Sequence, residues 1–277
     1  MNINDVDITQ SQLPSSYLNH EIFLEIKSLC ESYESLSFCC SSLSQGGISA
    51  ILGIDHIIFT SLKGTLASIG LVLKEGYIND GYAIVRKYYE GVILDIYKST
   101  YLLEKYNPME SLYVEMVEKW CKGEKELPKF KNMIQYLQRI ERLKDILKYY
   151  DITEAGFYGI VKERCNGNMH YNKLSYMLLN NPDYYVSNRN GHLNSILKSI
   201  MAIFELHWAC LFVLHPEYMT SCNYVNSLEC GETPVENSQY WIASFAEDVF
   251  HKLWDKKIEV ADYIKQKTEL IFSSEIE

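Results

Sequence analysis

Apolar residues recur at helical spacing through most of this chain, and that periodicity constrains its fold more than any other feature. The first such stretch runs from His20 to about Ser44, with apolar residues at Ile22, Phe23, Ile26, Leu29, Tyr33 and Leu36. This three-and-four spacing marks one buried face of a helix. A similar stripe follows Ile78-Asn79-Asp80 and continues to about Tyr106. Strand patterns are weak throughout, so the sequence predicts an all-α protein.

Further helical stretches divide the chain into regions. We expect a helix at about 49–74, a short helix that ends at 121, and a helix that follows Pro128 and ends at 150. Another runs from 151 into the central motif, and the chain continues as helix after His170 to about 179. The last helical regions are 191–215 and 239–272. Arg139, Arg142 and Lys144 lie on a basic side that we interpret as a solvated face. His207, in the buried helix 191–215, is interpreted as a hydrogen-bonded core histidine. We expect a flexible N-terminal arm (1–18), one helical domain (19–216) and a C-terminal loop and helical extension (217–277).

Composition argues against several classes of protein. The formal net charge of −10 disfavours binding along duplex DNA, because phosphate attraction dominates such affinity. The eight cysteines include no CxxC pair and no zinc-ligand spacing, so we expect no metal and no other cofactor. No secretory signal is visible, and the apolar stretch Ile200–Leu214 is too short to span a bilayer. A cytoplasmic protein without a membrane segment is expected.

The stretch 162–172 is the strongest candidate for a functional site. Asn166-Gly167-Asn168 is expected to interrupt a helix, since Asn and Gly are turn formers, and Asn168 could cap the next helix. Such a break would let Arg164 fold back towards His170 in the first helical turn. Arginine, a histidine that titrates near neutrality and a helix N-terminus together suit a phosphodiester.

Arg164 and His170, with five residues between them, resemble the RxxxxH-type motif of the HEPN superfamily, all-helical proteins many of which are metal-independent ribonucleases. The run 80–90 also resembles an early helix of these proteins, in which an arginine and an acidic residue lie one turn apart, here Arg86 and Glu90. The resemblance implies a HEPN-like helical bundle that acts on single-stranded RNA. It also implies a homodimer, because these enzymes generally pair two copies around one cleft.

The same resemblance implies roles for individual residues. Arg164 would hold the phosphate and His170 would move protons, while the RNA 2′-hydroxyl attacks and leaves a 2′,3′-cyclic phosphate. Asn166 and Asn168, together with Arg86 and Glu90, would support the pair. Arg86 and Glu90 could equally form an ordinary solvated ion pair, and Arg164 and His170 could simply cap helices.

Two functions therefore remain open. One is a metal-independent endoribonuclease of a bacterial toxin or anti-phage defence system. The other is a catalytically silent HEPN-like dimer that binds nucleotide, RNA or a protein partner, such as an antitoxin or a defence ATPase. Cys165 directly after Arg164, with the polar Asn166 one place later, favours the second function. A metal-dependent hydrolase is disfavoured, because the sequence has no HxH, HD or clustered carboxylate motif.

Overall fold

The computed structural model describes residues 6–7, 13–45, 52–105, 115–153, 155–183, 185–186 and 188–275. The α-helices are α1 (Ser15–Leu18), α2 (Ile22–Gln45), α3 (Leu52–Lys74), α4 (Ile78–Lys105), α5 (Glu115–Cys121), α6 (Phe130–Leu137), α7 (Lys144–Tyr149), α8 (Phe157–Met169), α9 (Leu174–Leu178), α10 (Arg189–Leu214), α11 (Asn223–Glu229), α12 (Ser244–Trp254) and α13 (Ile258–Lys267). Short 3₁₀ helices are Glu141–Leu143, Pro216–Met219, Ser238–Tyr240 and Ser273–Glu275. The predicted all-α class is confirmed.

Strand structure in the described part of the chain is minimal. β1 (Val6–Asp7) pairs antiparallel with β2 (Tyr185–Val186), with Val6 opposite Val186. Isolated bridges join Thr220 to Ile242 and Trp241 to Ile271. These ladders tie distant loops together but contribute no sheet layer to the core.

Four long helices, α2, α3, α4 and α10, build the centre of the protein. α2 packs on α3, α3 on α4, and α4 on both α8 and α10. Aromatic rings fill the space between them, with the ring of Tyr33 edge-on to Phe204 at 5.4 Å and Phe59 nearby at 6.4 Å. Edge-to-face pairs of this kind add to the free energy of burying large apolar rings. The core thus rests on aromatic residues at helical spacing.

Two glycines on α4 allow α3 to approach it closely. A Cβ at Gly81 would lie 2.7 Å from Cδ2 of Leu73, and one at Gly91 would lie 2.8 Å from Cδ2 of Leu62. Contacts of that length are repulsive, so side chains at these positions would push α3 away. The tight α3–α4 contact depends on the missing side chains.

The long helices match their predicted bounds, whereas the predicted helix 128–150 is wrong. It is divided into α6 and α7, because Ile140 adopts an extended backbone with φ −83° and ψ 112° and is buried. The side chain of Gln138 donates to the carbonyl of Ile152 at 2.7 Å across this interruption. Arg142 donates to the carbonyl of Val213, so the basic side is not purely a solvated face.

The first and last described helices contribute to the same core. Tyr17 is fully buried and its hydroxyl donates to the carbonyl of Leu73 at 2.6 Å, so the expected flexible arm does not extend to α1. In α12, Trp254 packs edge-on to Phe212 of α10 at 5.6 Å. The other residues of the arm, apart from β1 and Leu13–Pro14, lie outside the described residues. The domain boundaries at 19 and 216 stay predictions.

Two described helices are long and apolar enough to cross a membrane by length and composition. The apolar stretch Ile200–Leu214 belongs to the longer span Arg189–Leu214, which has 26 residues and passes this test by length. Its most apolar window is 78% buried inside the protein, as in a core helix, whereas the window within Ile54–Lys74 is only 28% buried. Core helices of soluble proteins pass the same test.

Candidate functional site

Helix α8 continues through Asn166-Gly167-Asn168, so the predicted break before His170 is wrong. Tertiary burial explains the difference, because Val161, Cys165 and Asn168 point into the protein at i, i+4 and i+7. An internal glycine costs a helix about 1 kcal/mol, while each buried apolar side chain contributes roughly 1.5–3 kcal/mol. Packing against α4 therefore outweighs the local preference for a turn.

Asn168 stabilises α8 from within instead of capping a new helix. Its side-chain Nδ2 donates to the carbonyl of Arg164 at 2.8 Å, one turn back. Its own carbonyl accepts a hydrogen bond from Nδ2 of Asn79 on α4 at 2.9 Å. Asn166 lies on the same helix, half-buried. Asn168 is thus part of the α4–α8 contact, and neither asparagine forms the predicted helix start.

The helix ends at His170, which is the C-cap residue. Tyr171 then adopts a positive φ of 48°, Lys173 is extended, and α9 starts only at Leu174. The C-terminal end of a helix carries partial negative charge. The predicted placement of His170 at an anion-attracting helix N-terminus is therefore wrong.

Arg164 and His170 are not brought together within one protomer. Six positions apart on a continuous helix, they point about 120° from each other. Nη1 of Arg164 donates to the carbonyl of Ser195 at 3.2 Å and to Oγ of Ser199 at 2.9 Å, both on α10. The side chain of His170 is exposed, and no polar contact to it occurs within the described part of the chain.

Arg86 and Glu90 form the expected pair on α4, with Nε and Oε1 separated by 2.9 Å. Their side chains are 27% and 43% exposed, so solvent screens the pair and its contribution to stability is a few tenths of a kcal/mol. Burial raises the pKa of the Cys165 thiol to about 12, opposed by the charge of Arg164 and then by that of Arg86. A supporting role beside His170 stays a prediction.

His192, which the motif did not include, lies one turn before Ser195 on the side of α10 that Arg164 contacts. Nδ1 of His192 lies 3.2 Å from the hydroxyl of Tyr82 on α4. Burial raises the pKa of Tyr82 to about 12, opposed by the Arg164 charge and the Ser195 hydroxyl. Burial, followed by the charge of Arg189, lowers the pKa of His192. The i, i+3, i+7 spacing of His192, Ser195 and Ser199 could have indicated this polar face.

A second polar cluster lies in the core, and we call it the buried network. Nζ of Lys98 lies 3.0 Å from Oδ1 of Asp95 and also pairs with Asp55. Nε2 of His207 lies 2.9 Å from Oδ2 of Asp95, and its Nδ1 lies 2.7 Å from the hydroxyl of Tyr33. The predicted hydrogen-bonded core histidine is confirmed.

Burial sets the protonation of this network. It raises the pKa of Asp95 and lowers that of Lys98, two groups that form a coupled pair, and it lowers the pKa of His207 to about 3. His207 is therefore neutral at neutral pH. Asp95, Lys98 and His207 are all fully buried, so the network holds α3, α4 and α10 in register and does not face solvent.

Among residues that the structure describes, no group of three or more His, Cys, Asp or Glu side chains could hold a metal ion. No protein-family model, curated protein or solved structure matches this chain.

Proposed function

We propose that this chain is a HEPN-like helical module of a bacterial toxin or defence system that acts in the cytoplasm as a homodimer, by binding and not by RNA cleavage. Two features of α8 support a binding role. Arg164 donates its hydrogen bonds to α10. His170 lies at the C-terminal end of α8, whereas binding a phosphodiester would favour a helix N-terminus. A cation and a proton-transfer group must both reach one phosphate for cleavage.

One observation carries the dimer: an exposed apolar surface around the end of α8. Met169, Tyr171, Leu174 and Met177 fall within nine residues and are 38%, 45%, 57% and 51% exposed. We call these four residues the α8–α9 surface. Clustered exposed apolar side chains mark interaction sites more often than scattered ones do. Methionine and tyrosine are also enriched at protein interfaces.

A second copy of the chain fits this surface best. A two-fold axis through the α8–α9 surface would place the same apolar side chains against each other, which makes the patch self-complementary. The HEPN resemblance independently implies a pair of chains at the motif. RNA, an antitoxin or a defence-system protein would then bind the paired module.

Light scattering at micromolar concentration tests the dimer. Leu174→Glu and Met177→Glu would each bury a charge in the interface, so we expect dimer mass for the unaltered chain and monomer mass for both variants. Leu228→Glu is the matched control, since Leu228 is 52% exposed on α11, and it should leave the mass unchanged. A monomeric unaltered chain, or variants that remain dimeric, would refute the proposal.

The metal-independent endoribonuclease is a second candidate, favoured by the exposure of His170, which lies between Met169 and Tyr171 of the α8–α9 surface. In a dimer built on that surface, two His170 side chains would lie near the two-fold axis. They would be free to act on RNA with a cation from either protomer. Cleavage of single-stranded RNA in EDTA that requires both Arg164 and His170 would favour this function over silent binding.

A further inference from the structure

A cavity of about 490 Å³ lies between α7 and α13 and is lined by side chains of these two helices. Both helices pack on α10. The hydroxyl of Tyr263 on α13 donates to the carbonyl of Arg142 at 3.0 Å, which ties α13 to the segment directly before α7. Small-molecule sites in proteins typically occupy about 300–1,000 Å³. The space is therefore large enough for a small ligand.

The lining of this cavity combines apolar side chains with aromatic rings. Ile146 and Val260 are buried and supply apolar surface. Tyr149 on α7 is 39% exposed, and Tyr263 is half-buried. The face of a tyrosine ring attracts cations, and Nζ of Lys267 already lies 5.5 Å from the centre of the Tyr263 ring. These side chains suit a ligand that has an alkyl chain and an ammonium group.

Two carboxylates without an ion-pair partner line the same cavity. Asp145 and Glu259 are exposed, and neither forms an ion pair with another residue in the described part of the chain. Burial, followed by the charge of Asp145, raises the pKa of Tyr263, so this carboxylate lies near the aromatic ring. Lys148 is the one basic side chain of the lining. Two negative charges against one positive charge favour a cationic ligand.

We propose that the cavity between α7 and α13 binds an organic dication, an alkyl chain that carries two ammonium groups, as polyamines do. One ammonium group would pair with Asp145 beside the Tyr263 ring, and the other would pair with Glu259. The methylene groups between them would pack on Ile146 and Val260. A ligand with one ammonium group would leave one carboxylate unpaired. The α8–α9 surface contributes no residue to this lining, so the site does not depend on the proposed dimer.

Isothermal titration calorimetry with 1,4-diaminobutane tests the site, in buffer whose ionic strength is kept constant with sodium chloride. We expect saturable binding of one ligand per chain. Butylammonium has the same alkyl chain with a single charge, and it should bind about two- to fivefold more weakly, because it forms one exposed ion pair fewer. Equal binding of the two ligands would contradict the assignment of a dication.

Substitutions in the lining should change the affinity in opposite directions. Asp145→Asn and Glu259→Gln each remove one ion pair with the ligand and should weaken binding about two- to fivefold. Lys148→Gln removes a repelling charge and should strengthen binding by a similar factor. Tyr149→Leu keeps an apolar side chain but removes the aromatic ring, so binding should weaken about two- to fivefold. All four residues are exposed, so we expect each variant to fold, which circular dichroism checks.

Glu229→Gln is the matched control, because Glu229 is an exposed carboxylate at the end of α11. It removes the same charge outside the cavity, so the dissociation constant should stay unchanged. Leu174→Glu, which tests the dimer, should also leave it unchanged. No saturable heat with 1,4-diaminobutane, or weaker binding by Lys148→Gln, would overturn the site. Equal losses in Glu229→Gln and Glu259→Gln would also overturn it, because the attraction would then follow the net charge of −10.

Discussion

Lys98→Met should destabilise the protein strongly, because it removes the cation that two buried carboxylates share. Lys98 and Asp95 are fully buried, and Asp55 is 4% exposed. Methionine is close to lysine in length and fills the same space, so the change removes charge with little loss of volume. The effect will therefore report on electrostatics in the core.

The size of the stability loss in Lys98→Met depends on the contacts that the two carboxylates keep. Breaking a buried ion pair by removing one partner typically costs about 3–5 kcal/mol. Asp55 keeps a hydrogen bond from the Tyr218 hydroxyl at 2.6 Å, and Asp95 keeps His207 at 2.9 Å. Asp95 can also take up a proton, since burial raises its pKa. We therefore expect a loss of about 3 kcal/mol, a large part of the ~5–15 kcal/mol typical of a folded domain.

Urea unfolding monitored by circular dichroism measures this loss of stability. The midpoint urea concentration should fall, while the slope of the unfolding free energy against urea concentration stays unchanged. The triple variant Lys98→Met, Asp55→Asn, Asp95→Asn removes all three charges and should recover at least half of the lost stability. Lys119→Met removes a lysine from an exposed pair and should leave the midpoint unchanged. A loss below about 1 kcal/mol for Lys98→Met would refute the reasoning, because a buried pair cannot be broken so cheaply.

Further predictions concern pH and helix packing. The pKa of His207 is lowered to about 3, so His207 supports stability above its unfolded pKa of about 6.5, and this contribution is lost as pH falls towards 3. As the pH is lowered through that window, the unfolding free energy of His207→Gln should therefore rise relative to that of the unaltered chain, by up to about 1.4 kcal/mol per pH unit. Urea titrations at several pH values measure this difference. Parallel plots of stability against pH for the two proteins would contradict it. Gly81→Ala should cost about 1–2 kcal/mol, because its Cβ would meet Leu73 at 2.7 Å. Gly64→Ala meets nothing within 4 Å and should gain about 0.5–1 kcal/mol; equal thermal shifts for the two glycine variants would refute the close α3–α4 contact.

The course of α8 shows where sequence reasoning succeeded and where it failed. Turn formers at Asn166 and Gly167 predicted a break, but in the structure Val161, Cys165 and Asn168 form one continuous buried face of α8. The buried face decides the structure, because packing against α4 is a tertiary effect that the local turn preference of Asn and Gly does not reflect. The all-α class and the long helices were predictable because their apolar periods extend over many turns.

The polar clusters could not be predicted in the same way. Asp95 and His207 are 112 positions apart, and Tyr82 and His192 are 110 apart. Pairings at such separations follow from helix order and crossing, which periodicity does not provide.

RNA cleavage in excess EDTA tests most directly the claim that Arg164 and His170 do not form one catalytic site. The unaltered chain, Arg164→Lys and His170→Ala are incubated with labelled single-stranded RNA, and the product ends are analysed for cyclic phosphate. We predict no cyclic-phosphate product from any of the three proteins. Cleavage by the unaltered chain that both substitutions reduce by about 10²–10⁴-fold, with helicity and mass unchanged, would contradict the claim and establish the nuclease.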